Sequence, residues 1–170
     1  MFQGFVQLEN SIEIAILVRN SSLVPVNADA LPTYRVYGPA GLMPAGTGTA
    51  AFRDSKAVSA ATAAAPIVVN STGHGLTTGT RVTVAGGVGL SGLNGTTTVT
   101  VVDADHFSLD GTTGTGTYTG GATWNVTGYY TVTVTAAAAD GYAAGQSYAV
   151  LAVGTVSSAG WAVVESFAVC

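Results

Sequence analysis

The chain has 170 residues and a formal net charge of −4, enough length for one β-sandwich or two small domains. Charged residues make up only 8%, against roughly 25% in an average globular protein. Lys56 is the one lysine and Arg19, Arg35, Arg53 and Arg81 are the arginines, so there is no basic patch, and nucleic acid is excluded as a partner.

From the N-terminus onward, alternation with a period of two dominates, as half-buried strands require. Ile12, Ile14, Ile16 and Val18 fall on one face, with Ser11, Glu13 and Arg19 opposite. Thr33 to Gly38 reads as a short strand closed by a turn. The Ala-rich stretch from Lys56 to Ala65 has no amphipathic helical period and is read as a linker. Asn94-Gly95 suits a type I′ turn leading into a strand from Thr96 to Val102, followed by a turn at Asp103-Ala104-Asp105. Phe107 and Leu109 then point together into a small core. Tyr130, Val132 and Val134 alternate with Thr131, Thr133 and Thr135. Ala136 to Ala139 is a loop with room for one helical turn. In the last run, Trp161, Val163, Phe167 and Val169 share a face with Glu165. The fold class expected is all-β.

The mean hydropathy of +0.45 comes from dispersed Ala and Val, and no stretch approaches the roughly 20 apolar residues of a membrane span. No membrane association is expected. Met1-Phe2-Gln3-Gly4 lacks a basic region followed by an apolar run, so no signal peptide is expected either. Cys170 is the single cysteine and reads as an incidental terminal thiol.

The texture changes twice along the chain. Residues 1–56 and 125–170 have the longer strands, most of the aromatics and most of the acids. Between them lies a Gly/Thr/Val-rich segment, opened by Pro66 and closed near Trp124. The expected organisation is a discontinuous immunoglobulin-like sandwich (1–56 plus 125–170), a linker (57–65) and an inserted small β-barrel (66–124). Insertions are tolerated where the two ends of a loop lie close together.

The inserted segment contains, in order, His74-Gly75-Leu76, Gly79, Val82, Gly86-Gly87, Asn94-Gly95, Val99, Asp103, Asp105, Phe107, Leu109, Tyr118 and Gly120-Gly121. As an ordered set these resemble a small β-barrel module that recurs in phage structural proteins. The module is named after the first catalytic-cysteine half-domain of ubiquitin-activating enzymes. The likeness covers about a third of the chain and brings no ubiquitin chemistry, because the segment has no cysteine. The outer segments resemble an immunoglobulin or fibronectin-type sandwich of the kind found in phage decoration and fibre proteins. Gly145-Gln146-Ser147-Tyr148-Ala149-Val150 is similar to the Gly-x-x-Tyr-x-Val signature, in which the Tyr hydroxyl bonds back to upstream backbone. The Cys and Trp spacing of antibody domains is absent.

Several motifs have tempting and plain readings. Gly87-Val88-Gly89-Leu90-Ser91-Gly92 fits GxGxxG, but that motif needs a strand before it and a helix N-terminus after it, and here Asn94-Gly95 and a Thr/Val strand follow, so it reads as a glycine-rich hairpin loop. His74 and His106, with Asp103, Asp105 and a serine, lack a nucleophile elbow or HExxH spacing and are expected to brace turns. Asp103, Asp105 and Asp110 carry carboxylates but not the EF-hand pattern, since Ser108 and Gly114 stand where Gly and Glu belong. The four Asn-x-Ser/Thr matches, starting at Asn20, Asn70, Asn94 and Asn125, are expected by chance in a Thr/Ser-rich chain. The aromatics Tyr34, Tyr37, Tyr129, Tyr130, Tyr142, Tyr148, Trp124 and Trp161 divide among core, subunit interface and sugar-stacking platform, with individuals unassigned.

No catalytic, cofactor-binding or metal-binding residue is therefore expected, and no enzyme. The resemblances imply a structural protein of a bacteriophage virion, a capsid decoration or head-surface subunit that binds the major capsid protein and forms a homo-oligomer, with a trimer suggested by capsid geometry. The alternatives are a tail, neck or fibre component, or a carbohydrate-binding adhesion module that meets a host-surface glycan.

Overall fold

The computed structural model describes residues 2–170. In chain order its strands are β1 (Phe2–Val6), β2 (Ser11–Leu17), β3 (Thr33–Gly38), β4 (Gly41–Thr49), β5 (Ala51–Phe52), β6 (Ser55–Ala57), β7 (Ala60–Ala61), β8 (Ile67–Asn70), β9 (Arg81–Ala85), β10 (Val88–Ser91), β11 (Gly95–Val101), β12 (His106–Leu109), β13 (Thr115–Gly120), β14 (Thr123–Val126), β15 (Tyr129–Thr135), β16 (Ser147–Val156) and β17 (Ala159–Val169). The helical content is one 3-10 turn, Ala138–Asp140, in the Ala-rich loop. The protein is all-β, as the alternation requires.

Two compact units form. One runs to Phe52 and resumes over Gly128–Cys170; the other is Arg53–Thr127. The first unit is a sandwich of a five-stranded sheet, ordered β1-β17-β16-β3-β4, and a three-stranded sheet, ordered β2-β15-β5. Ile14, Ile16, Tyr130, Val132 and Val134 from the smaller sheet form one cluster with Val36, Tyr148, Val150, Phe167 and Val169 from the larger. The alternating apolar residues of both sheets thus meet in one layer, the arrangement that removes most apolar area from water. The Tyr148 ring stacks on Phe167 at 5.5 Å, and its hydroxyl accepts the backbone N–H of Ala143 at 2.8 Å. That is the back-bond expected of the Gly-x-x-Tyr-x-Val segment.

The inserted unit is built on a seven-stranded sheet, β6-β14-β9-β11-β12-β8-β7, with β10 and β13 as a two-stranded ribbon. β11 turns a corner. Its residues 95–98 pair with β9 and its residues 99–101 with β12. The two edge strands, β6 and β7, are successive pieces of a single short segment, so the sheet curls until its edges meet on residues 55–61. Between them Val58 is buried, its N–H donating to the Ala122 carbonyl and the next N–H, of Ser59, to the Asn70 carbonyl. The expected linker 57–65 is therefore corrected: its first part closes the barrel. Small alanines give no alternating signal, and these residues are strands only because β14 and β8 offer them backbone partners. Residues 53–56 and 125–127 likewise belong to this unit rather than to the outer one.

Trp124 also sits here. Its indole packs edge-on against Phe107 at 5.7 Å, and Phe107 against His74 at 5.1 Å. Trp124 Nε1 donates to Ser71 Oγ at 2.8 Å, and Ser71 Oγ donates onward to the Ala57 carbonyl at 2.9 Å. Asn94-Gly95 does not form a two-residue hairpin. Asn94 instead grips Gly87 from both sides, accepting its N–H and donating to its carbonyl, each at 2.8 Å, and so closes the β9-to-β11 excursion.

Two outcomes are expected. Ser71→Ala leaves the buried Trp124 N–H without an acceptor and should lower stability by about 2 kcal/mol in urea unfolding; a change near zero would remove the bond's importance. A variant lacking Arg53–Thr127, with Phe52 joined to Gly128 by a short Gly/Ser linker, should keep a cooperative thermal transition, and loss of all cooperativity would refute two separable units.

Candidate interaction face

In the five-stranded sheet the residues that alternate with the core form an outward face whose composition is unusual. One row across all five strands reads Phe2, Ser166, Ala149, Tyr37, Leu42. The next reads Val164, Leu151, Arg35, Thr47, and the third Ala162, Val153, Thr33, Thr49. Phe5 lies beside Ala168 at one corner and contacts Phe2 edge-on at 5.2 Å. Arg35 is the single charge in these rows. Phe5 is 72% exposed, Val164 56%, Phe2 53% and Leu42 51%, so the side chains stand in water. Scattered exposed apolar residues are ordinary, whereas this face gathers Phe2, Phe5, Leu42, Leu151, Val153 and Val164 on one sheet, with Ser, Thr and Tyr between them. Such a face is costly to leave wet. At one edge β4 carries Pro44, which cannot donate to a further strand and so protects that edge from pairing.

The structure places the tempting motifs elsewhere. Gly87 to Gly92 spans strand β10, with no helix after it. His74 is buried and both its ring nitrogens are engaged: Nδ1 accepts the Leu76 N–H at 2.9 Å, and Nε2 then donates to the Asp103 carbonyl at 2.9 Å. His106 is fixed in the same way. Its Nε2 accepts from Asn70 Nδ2 at 2.9 Å, leaving Nδ1–H to donate to the Asp103 carboxylate at 2.9 Å. Ser59 Oγ donates to the Asn70 side-chain oxygen at 2.8 Å, so Asn70 stands between this serine and His106. Ser59 thus meets Asn70 rather than the imidazole.

Asp103 and Asp105 are staples of one turn. Asp103 Oδ1 accepts the N–H groups of Asp105 and His106 at 2.8 and 2.9 Å, and Asp105 Oδ1 accepts the N–H of Gly73 at 2.7 Å. Asp110 lies past the other end of β12, accepting the hydroxyls of Thr98 and Thr100. The three carboxylates of the calcium reading are thus divided between the two ends of a strand. Among the described residues no group of three or more His, Cys, Asp or Glu side chains is placed to hold a metal.

The aromatics sort clearly. Tyr130, Tyr142 and Tyr148 are core of the outer unit and Trp124 is core of the inserted one. Tyr34 and Trp161 are half-buried against the outer core, and Tyr37 lies on the outward face. Burial, and next the nearby Asp140 charge, push the Tyr142 phenol up to about 12. Sequence patterning did not single out the outward face, because its apolar residues look like any half-buried strand until the register shows that no layer covers them.

No family model and no curated protein matches the sequence. Among solved structures the chain is similar to the phage phi92 endosialidase, at 14% identity and a TM-score of 0.32, over 88% of this chain and 24% of that one. The chain therefore spans about a quarter of that protein's length.

The Asp103 staple gives a pH dependence. The Asp105 N–H, and after it the His106 side chain, hold the Asp103 carboxyl below its usual value. A lowered folded pKa means that the stabilisation is full above the unfolded value of about 3.9 and is lost as pH falls through the lower folded value. The side-chain carboxyl carbon of Asp103 should therefore titrate below about 3.9 by NMR, with the Asp105 and His106 amide signals moving in the same range; a midpoint at or above that value would contradict the staple.

Proposed function

We propose that this chain is a non-enzymatic structural subunit of a bacteriophage particle, a capsid decoration or head-surface protein that docks through the outward face of its five-stranded sheet. The observation that carries the docking reading is that face: three rows of Phe, Leu, Val, Ala, Tyr, Ser and Thr interrupted by one charge, Arg35. Its partner is a protein surface that is itself apolar and offers a carboxylate where Arg35 arrives, since an unpaired guanidinium would be costly to desolvate. The phage assignment rests on the ordered likeness of residues 66–124 to the small barrel module and on the sandwich with its Tyr148 back-bond.

The non-enzymatic reading is supported by the occupied ring nitrogens of His74 and His106. A charge content of 8% suits a subunit whose surface is covered by neighbours better than one in free solution. Self-association into a symmetric oligomer fits the same composition.

The decisive quantity is the copy number of this chain in purified particles, by quantitative mass spectrometry against the most abundant shell protein. A ratio near one, or a simple fraction of it, is expected for decoration. A handful of copies would move the chain to the neck, tail or fibres, and absence would end the virion reading. For the face itself, Val164→Lys and Leu42→Lys are both at exposed sites and should leave the fold intact by circular dichroism. Together they should reduce incorporation into particles at least about tenfold, as expected for charges forced into a buried apolar contact. Unchanged incorporation would put the interface elsewhere.

A further inference from the structure

A cleft of about 340 Å³ opens in the outer unit where the end of β2 meets the tip of the β16–β17 hairpin. Arg19, Asn20 and Ser21 form one wall; Val156, Ser157 and Trp161 are on the other. No carboxylate lines it.

Its groups are complementary to one kind of molecule. The Trp161 indole is seated flat on the sheet: a methyl group built on Gly154 would come within 2.8 Å of the ring. Glycine at 154 thus makes room for the ring at the cleft wall. Arg19 is exposed and forms no ion pair among the described residues, in a chain with few cations. Asn20 spends its side-chain oxygen on the N–H groups of Ser22 and Val24, both at 3.0 Å, so its amide hydrogens remain to be offered. The hydroxyls of Ser21 and Ser157 add groups that both donate and accept.

Both walls are held in conformations that cost energy. Ser157 and Ser158 occupy left-handed backbone, at φ 50° and 65°, in a two-residue hairpin turn where glycine or asparagine is usual. The Asp29 carboxylate secures that turn by accepting both N–H groups at 2.9 Å. Just beyond the facing wall Leu23 is left-handed at φ 62°, inside the turn that Asn20 caps. Non-glycine strain of this kind concentrates at functional sites. Of the left-handed non-glycine residues described, Leu23, Ser157 and Ser158 lie in or next to the segments that bound the cleft, and Glu9 lies elsewhere.

We infer that this cleft binds a carboxylated sugar residue. The guanidinium of Arg19 meets the carboxylate, the paired geometry for which arginine is suited. The indole of Trp161 takes the apolar C–H face of the ring, and Asn20, Ser21 and Ser157 take the hydroxyls. This goes beyond the docking reading and does not depend on it: the cleft lies at the end of the sandwich and uses none of the residues of the outward face.

The experiment uses the full chain and its two tryptophans. The Trp124 indole N–H, bonded to Ser71 in the other unit, is an internal control for the Trp161 signal in a nitrogen-15 NMR titration. The probes are methyl β-glucuronide and methyl β-glucoside, which share a ring and differ in the carboxylate. The glucuronide should move the Trp161 signal and not that of Trp124, and should bind at least about tenfold more tightly than the glucoside. Arg19→Gln should bring the two probes within about twofold of each other, and acetate should bind far more weakly than the glucuronide. No movement of Trp161 with either sugar at concentrations on the order of 10 mM would overturn the proposal. So would equal binding of both sugars, an undiminished preference in Arg19→Gln, or acetate binding as well as the glucuronide. None of these outcomes bears on particle incorporation, so failure here and failure of the docking reading are distinguishable.

Discussion

The architecture depends on how the chain leaves the outer sandwich and re-enters it at one place, beside Tyr130. The departing end, Phe52, pairs with Tyr130 in the ladder between β5 and β15, and the two rings stack at 5.1 Å. The returning end, Gly128, adopts φ 74°, and a side chain there would strike the Val18 carbonyl at 2.6 Å. Its N–H donates to the Asn27 side chain at 2.7 Å, while its carbonyl accepts from Val18 at 2.8 Å. The Tyr130 hydroxyl meanwhile accepts the N–H of Ala28 at 2.8 Å, and burial raises its phenol pKa. Tyr130 thus ties the departing end and Ala28 to the central strand of the smaller sheet, while Val18 and Asn27 hold the returning end two residues before it. With exit and return fixed so close together, an inserted unit adds little loop-closure cost to the sandwich that hosts it.

That constraint explains what the sequence could and could not reveal. Two of the three strands of the smaller sheet were readable because each carries its own period: Ile14 and Ile16 from one, Tyr130, Val132 and Val134 from the next, all buried as alternation requires. The strand at Thr33–Gly38 and the Tyr148 back-bond were legible for the same reason, since both are local in sequence. Closure of the inserted barrel was not. It depends on β6 pairing with β14 and β7 pairing with β8, between segments whose alanines carry no pattern. Trp124 lies at the boundary in sequence, and its place in the inserted core is held by Ser71, more than fifty residues earlier. The cleft escaped for the same reason: residues 19–21 and 156–161 are brought together only by the sandwich.

The outward face shows a further limit. In β16 both phases are apolar, Val150 and Ala152 facing the core and Leu151 and Val153 facing water. A strand with apolar residues in both phases reads as doubly buried. In the outer unit only one phase is covered by a second layer, and the other is left open by the order of the strands.

The scarcity of charge follows a related logic. The acids that are present are mostly committed to backbone or side-chain donors rather than spread over surfaces. Glu9 accepts the Ala138 N–H, Asp29 fixes the left-handed turn at Ser157 and Ser158, and Asp103 and Asp105 fasten the turn before β12. Glu165 takes the Gln3 amide. A carboxylate accepting N–H groups at a turn stabilises a conformation the local residues would otherwise disfavour, and this is the role carboxylates have at each of these turns. The consequence is a division of labour. Charge is concentrated at loops, where it holds shape, and is nearly absent from the outward sheet face. Charged residues placed across that face would keep it soluble alone but would oppose its burial against another protein. Arg35 is the one charge in the rows of that face, in a chain that uses carboxylates repeatedly at its turns.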